Sequence, residues 1–137
     1  MIEVAHVNNY NGAGVYIGRP CGRYPEGSVL GNPYKVEKIG SREKEGSREK
    51  AVELYRMWLW ERLKERGQVY DEMKRLVNLA KQSDLILLCW CHPKSCHGQI
   101  LRQAIEKWDT VEAAIGRVTR RSGLSDDSAV EELKHDR

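Results

Sequence analysis

Three of the four cysteines of this 137-residue chain, Cys89, Cys91 and Cys96, fall with His92 and His97 inside nine residues. The run is Leu88-Cys89-Trp90-Cys91-His92-Pro93-Lys94-Ser95-Cys96-His97-Gly98-Gln99. Thiols and imidazoles packed this closely support three kinds of chemistry. The first is metal binding. Thiolate with imidazole is the donor set that Zn²⁺ takes, so Cys89, Cys91, Cys96 and His97 (or His92) form a Cys3His candidate site with zinc as the implied cofactor. The Cys-x-Cys spacing differs from the usual Cys-x2-Cys knuckle, and adjacent donors at Cys96 and His97 are awkward to aim at one ion. The second is anion or thiol chemistry. A cysteine at a helix start sees the positive end of the helix dipole, which favours its thiolate. Cys96 and His97 are then candidate catalytic residues, and the amides of His97, Gly98 and Gln99 could cradle a phosphate or a carboxylate. The third is structural, because cysteine also packs as a small buried hydrophobe. Cys96 through Arg102 formally fits the Cys-x5-Arg loop of cysteine-dependent phosphatases. That fit is set aside: the segment lacks the glycines such a loop needs, and Arg102 lies more than a helical turn from the thiol.

A second group of polar residues lies far upstream. Arg19 in Gly18-Arg19-Pro20 carries a planar fork suited to a carboxylate or phosphate, although a surface salt bridge is the plainer use. Asn32 in Gly31-Asn32-Pro33-Tyr34 is held extended by the proline that follows it, which fixes where its amide points. It can read a base edge or a sugar, or do no more than form the turn.

These groups need elements to hold them. Ile2 to Val7 alternates as a strand and ends in the turn-forming Asn8-Asn9-Tyr10-Asn11-Gly12; Val15-Tyr16-Ile17 reads as a second, short strand. Residues 18–40 are rich in glycine and proline and read as one long irregular loop, a type of segment that often carries function. Gly40-Ser41-Arg42-Glu43-Lys44 recurs, after Glu45, as Gly46-Ser47-Arg48-Glu49-Lys50. This tandem copy reads as an exposed segment before a helix capped by Ser47. That helix presents Ala51, Leu54, Tyr55, Trp58, Leu59 and Leu63 on one face and stops near Gly67. A second helix carries Val69, Met73, Leu76, Val77 and Ala80. Leu85 to Leu88 is continuously apolar, as expected of a strand covered on both faces. The helix after Cys96 presents Ile100, Leu101, Ala104, Ile105 and Trp108.

Asp109-Thr110-Val111-Glu112 has capping-box spacing for another helix, which Gly123 would stop, and Ser125-Asp126-Asp127 opens a last acidic helix to about Leu133. The expected organisation is an α/β domain over residues 1–108 and a helical C-terminal appendage over 109–137. In the appendage, Val111, Ala114, Ile115 and Val118 form an apolar stripe that serves self-association as a homodimer or packs back on the domain. The expected fold is a small Rossmann-like sheet, partly parallel, flanked by helices, with that helical tail. Ligands in such folds bind beyond the carboxyl ends of the strands, where Gly18-Arg19-Pro20 and Cys89-Trp90-Cys91 both fall.

Composition narrows the classes. Charged residues make up 31% of the chain and apolar ones 40%, as in a globular domain, and no apolar run is long enough to span a bilayer. The N-terminus shows no secretory signal, and clustered rather than distributed cysteines read as reduced thiols of a cytoplasmic protein. A net charge of +3 permits a phosphate-bearing partner without demanding one; the basic stretch Arg117 to Arg121 allows nucleic acid, with solvated surface charge the simpler reading.

Taken together, Tyr16-Ile17-Gly18-Arg19-Pro20, Gly31-Asn32-Pro33-Tyr34, Ser47 to Ala51 with Tyr55 and Trp58-Leu59, and Leu88-Cys89-Trp90-Cys91 with Pro93 and Cys96-His97-Gly98 resemble a domain of unknown function found in bacteria, archaea and their viruses. The resemblance covers about residues 2 to 107. It implies a functional domain whose polar residues are Arg19, Asn32, Cys89, Cys91, Cys96 and His97, and it implies no activity. Members commonly carry Asp two residues after the histidine, where this chain has Gln99, and the stretch Cys21 to Leu30 is longer than their usual spacer. The leading functional expectation is a nucleotide- or phosphometabolite-binding domain, with or without catalysis. In it Gly18, Arg19, Asn32, Gly98 and Gln99 bind the ligand, and Cys96 and His97 do any chemistry. The alternative is a non-enzymatic nucleic-acid-binding or assembly module with structural zinc.

Overall fold

The computed structural model describes residues 1–10, 12–91, 94 and 96–120. His92, the acidic segment opened by Ser125 and the stop at Gly123 lie outside the described residues. In chain order the elements are β1 (Ile2–His6), β2 (Val15–Tyr16), β3 (Lys38–Ile39), β4 (Arg42–Glu43), α1 (Ser47–Glu65), α2 (Gln68–Gln82), β5 (Leu85–Cys89), α3 (His97–Glu106) and α4 (Trp108–Arg120). A 3-10 turn, Val7–Asn9, follows β1.

β5 is the centre of a three-stranded, all-parallel sheet of order β1-β5-β2, with Val4 opposite Leu87, His6 opposite Cys89 and Tyr16 opposite Leu88. All five β5 residues are buried, as the unbroken apolar run required. Alternation along β5 divides the core in two. Leu85, Leu87 and Cys89 face one large cluster that takes residues from all four helices, among them Tyr55, Leu59, Met73, Leu101 and Ile115. Ile86 and Leu88 face the other way and are covered by Val7 with the partly buried Ala5, Tyr10, Tyr16 and Tyr24. Helices thus pack on one face of the sheet, and tyrosine-bearing loops close the other. This is a small Rossmann-like α/β fold.

The tandem copy adopts two structures. The glycine of each copy takes the left-handed conformation, with φ 66° at Gly40 and 79° at Gly46. After Gly40 the chain turns through Ser41 into β4, which pairs antiparallel with β3. After Gly46 it enters α1. The expected long loop therefore ends in a hairpin. The Ser47 hydroxyl donates to the Glu37 carbonyl at 3.1 Å, so Gly46 rather than Ser47 stands at the helix cap.

α1 packs against α2, α3 and α4. Its burial is accordingly wider than a single stripe: Arg56 and Trp60 are buried beside Ala51, Tyr55, Leu59 and Leu63, whereas Leu54 and Trp58 are only half-buried. α4 starts at Trp108, one residue ahead of the expected cap at Asp109, because the Val111 amide already bonds the Lys107 carbonyl at 3.0 Å. Val111, Ala114 and Ile115 pack into the helix-side core, with Val118 against its edge.

Candidate functional site

All three parallel strands end on one side of the sheet, and a cavity of about 320 Å³ opens there. It is lined by Gly18 and Arg19, by Asn32, and by Cys89, Cys91, Cys96 and His97, so both halves of the expected site meet in one crevice. Its size is at the lower end of the ~300–1,000 Å³ seen for small-molecule pockets.

The segment from Ile17 to Val36 is strapped to the helices at three points. The buried Tyr55 hydroxyl donates to the Leu30 carbonyl at 2.6 Å. The Asn32 amide donates to the Ala51 carbonyl at 3.3 Å, while its oxygen accepts from the Tyr34 amide at 2.9 Å. His97 Nε2 lies 2.6 Å from the Ile17 carbonyl. A carbonyl only accepts, so Nε2 carries the proton and donates. Burial lowers the imidazole pKa and keeps it neutral, with Arg19 adding to the effect. Asn32 and His97 thus serve first to hold the backbone beside Arg19 in place. The two proline motifs also meet backbone to backbone: a Cβ on Gly31 would lie 3.0 Å from the Gly18 carbonyl carbon and 3.1 Å from the Arg19 nitrogen. A side chain there would require the Gly18–Arg19 backbone to give by a few tenths of an ångström.

The sulfur cluster forms the opposite wall. Cys89 ends β5 and Cys96 caps α3; their Sγ atoms are 3.5 Å apart and both residues are buried. The Gly98 amide donates to Cys96 Sγ at 3.3 Å, and the Gln99 amide bonds the Cys96 carbonyl at 3.2 Å. Of the three helix-start amides expected to cradle an anion, those of Gly98 and Gln99 are therefore already engaged. Gly98 packs against Val4 and Ile17, and Gln99 lines a separate groove with Glu49, Glu53 and Arg56, so neither reaches the cavity.

Cys91 is half-buried and faces the cavity. A hydrogen bond from Cys96, joined by one from Arg48 and by the charges of Arg48 and Arg19, brings its thiol down to about 5. Hydrogen bonding with Cys89 and Cys91, together with burial, drives Cys96 the other way and keeps it a thiol. The thiol that these surroundings lower is thus Cys91, whereas the helix-start argument points to Cys96.

Among the described residues, no group of three or more His, Cys, Asp and Glu side chains is arranged to hold a metal ion. His97, which would complete the Cys3His set, has its Nε2 committed to Ile17. The His97 Nδ1 is left over by that bond, and the alternative donor His92 lies outside the described residues.

Several lining residues were not anticipated. Arg48, from the second repeat copy, enters the cavity from the first turn of α1, and its guanidinium is held by Glu43 through Nε to Oε1 at 3.0 Å and Nη2 to Oε2. That pairing raises the Arg48 pKa and lowers the Glu43 carboxyl to about 2. The only sequence signal was the position of Arg48 at a helix start inside the family-like segment. Tyr16, Tyr34 and Trp90 add aromatic surface. The Tyr16 hydroxyl donates to the Arg19 carbonyl at 2.6 Å, its ring stacks on Tyr24 at 4.1 Å, and burial raises its pKa to about 12. Cys21 completes the rim; burial pushes its thiol up, but hydrogen bonds from the Tyr24 backbone, Tyr16 and Trp90 outweigh this and leave it below its ordinary value.

The profile of a domain of unknown function, DUF4326, matches residues 2–107. The chain belongs to the DUF4326 family. The match runs from β1 into the end of α3 and includes every residue that lines the cavity. Searches of curated proteins and of solved structures return no match for this DUF4326 chain. No helix among its described residues is long and apolar enough to cross a membrane.

Proposed function

We propose that this DUF4326 protein binds a nucleotide or another phosphate-bearing metabolite in the cavity beyond the strand ends. The observation that carries this reading is the pairing of two guanidiniums, Arg19 and Arg48, with the aromatic rings of Tyr16, Tyr34 and Trp90 around one cavity. Guanidinium forks suit phosphate oxygens, and flat rings suit a base. Arg19 is exposed at the rim and takes the phosphate, and Arg48 adds positive charge from the α1 side. The spare hydrogen and lone pair of the Asn32 amide face a sugar or base edge. Cysteines kept as thiols suit a reducing cytoplasm.

The experiment is a thermal-shift titration of the full chain with nucleoside mono-, di- and triphosphates, nucleosides and inorganic phosphate. A rise in Tm with at least one phosphorylated ligand, reduced in Arg19→Ala, supports the reading. No shift with any of them, with Arg19→Ala indistinguishable from the parent, sinks it. The other reading, a nucleic-acid-binding or assembly module built on zinc, draws less support, since no group of three or more His, Cys, Asp and Glu side chains is arranged to hold a metal among the described residues.

A further inference from the structure

The three-sulfur cluster carries an inference that does not depend on which metabolite fills the cavity. We propose that Cys91 and Cys96 form a reversible thiol–disulfide pair, with Cys91 as the sulfur that meets a hydroperoxide and Cys96 as the sulfur that resolves it.

The geometry assigns the two roles. Cys91 lines the cavity and is reached from solvent; Cys96 is 4% exposed and Cys89 1% exposed, so an oxidant meets Cys91 first. Cys91 is within hydrogen-bonding reach of both Cys96 and Arg48, and Arg19 adds a second positive charge nearby. These are the surroundings that favour a reactive thiolate. Cys96 is within the same reach of Cys91 and of Cys89, whose Sγ lies 3.5 Å away. A hydrogen-bonded pair of thiols such as Cys91 and Cys96 closes to the ~2.05 Å of a disulfide by rotation of the side chains.

The steps balance. The Cys91 thiolate attacks one oxygen of the hydroperoxide, the O–O bond breaks, and the leaving alkoxide or hydroxide takes a proton from water. Cys91 becomes a sulfenic acid, oxidised by two electrons, and the peroxide is reduced by two. The Cys96 sulfur then attacks the Cys91 sulfur, the S–OH bond breaks, and the departing hydroxide leaves as water with the Cys96 proton. A dithiol reductant returns both electrons and restores the two thiols. Cys21 lines the same cavity and is the rival target.

The test uses the full, reduced chain freed of reductant. It is treated with one equivalent of hydrogen peroxide, alkylated and digested with trypsin, which cuts after Lys94 and so separates Cys91 from Cys96. The expected product is a Cys91–Cys96 linked peptide pair that dithiothreitol dissolves, with Cys21 recovered alkylated. Cys96→Ser stops at a Cys91 sulfenic acid that dimedone traps, and Cys91→Ser slows peroxide consumption at least tenfold. Should Cys91→Ser fail to fold, limiting iodoacetamide on the native parent gives the same answer, with Cys91 modified ahead of Cys21, Cys89 and Cys96. First reaction at Cys21, a link through Cys89 with Cys91 left alkylated, or over-oxidation of Cys91 without any link would each overturn the proposal.

Discussion

Glu43 and Arg48, drawn from different copies of the same five-residue sequence, clasp each other in a two-pronged ion pair at the mouth of the cavity. Lys94 Nζ, from the cysteine loop, approaches the same Glu43 carboxylate at 3.7 Å. One carboxylate therefore ties the β3–β4 hairpin to the first turn of α1 and to the segment that carries the cysteines.

The clasp has a signed pH dependence. The Glu43 carboxyl is lowered from 4.5 to about 2 by the Arg48 hydrogen bonds. Because the folded value lies below the unfolded one, its stabilising effect is present above pH 4.5 and is lost as pH falls towards 2. Glu43→Gln is expected to melt below the parent at pH 7, and the gap in Tm is expected to close across that acid range. A gap unchanged at pH 2 would show that Glu43 acts by packing instead of charge.

The Tyr55 strap is a buried bond whose loss leaves the Leu30 carbonyl unpaired. Tyr55→Phe keeps the ring and removes only the donor. An unsatisfied buried acceptor costs about 1–3 kcal/mol, so denaturant unfolding of this variant is expected to show a loss in that range. A loss near zero would mean that water takes the place of the hydroxyl.

Gly31 separates stability from binding. A Cβ there presses on the backbone of Gly18 and Arg19, which cannot yield as a side-chain tip would. Gly31→Ala is expected to cost about 1–3 kcal/mol, as overpacking usually does, and to displace Arg19. Any ligand found by thermal shift is then expected to bind at least tenfold more weakly to this variant. Gly22→Ala, with open space around its Cβ, is the control and is expected to change neither.

Cys91 gives the last prediction. With its thiol at about 5, its thiolate is populated at neutral pH. Iodoacetamide modification of Cys91, followed by peptide mapping, is expected to rise with pH around 5 and to level off by about 7. A rate still climbing through pH 8 and 9 would mark an ordinary thiol.

The sheet centre and the cysteine wall were legible in the sequence because each is local. Leu85 to Leu88 advertises a doubly covered strand by its unbroken apolar run, and Cys96 with His97 declares a helix start. Arg19 and the cysteines were brought to one crevice by a topological rule about strand ends. Arg48 was not legible, because its pairing with Glu43 and its approach to Cys91 are made by tertiary folding, and a charged repeat looks like plain solvated surface. The Gly98 and Gln99 amides misled for a related reason. A helix start offers free donors only when its cap leaves them free, and here the Cys96 sulfur and carbonyl take them. The buried Arg56 and Trp60 were hidden because α1 is wrapped by three other helices, which erases a one-sided stripe.

The repeat has a consequence at the level of the gene. Short tandem units are prone to gain or lose a copy when DNA is replicated, and this unit is six residues long, from Gly40 to Glu45. Loss of residues 40–45 would leave Gly46 to lead into α1, but it would remove the hairpin turn together with the Glu43 carboxylate that holds the Arg48 guanidinium. One slippage event, with no point substitution in the cavity wall, would take away the partner of Arg48 while leaving the net charge of the chain unchanged, because the unit carries two cations and two anions.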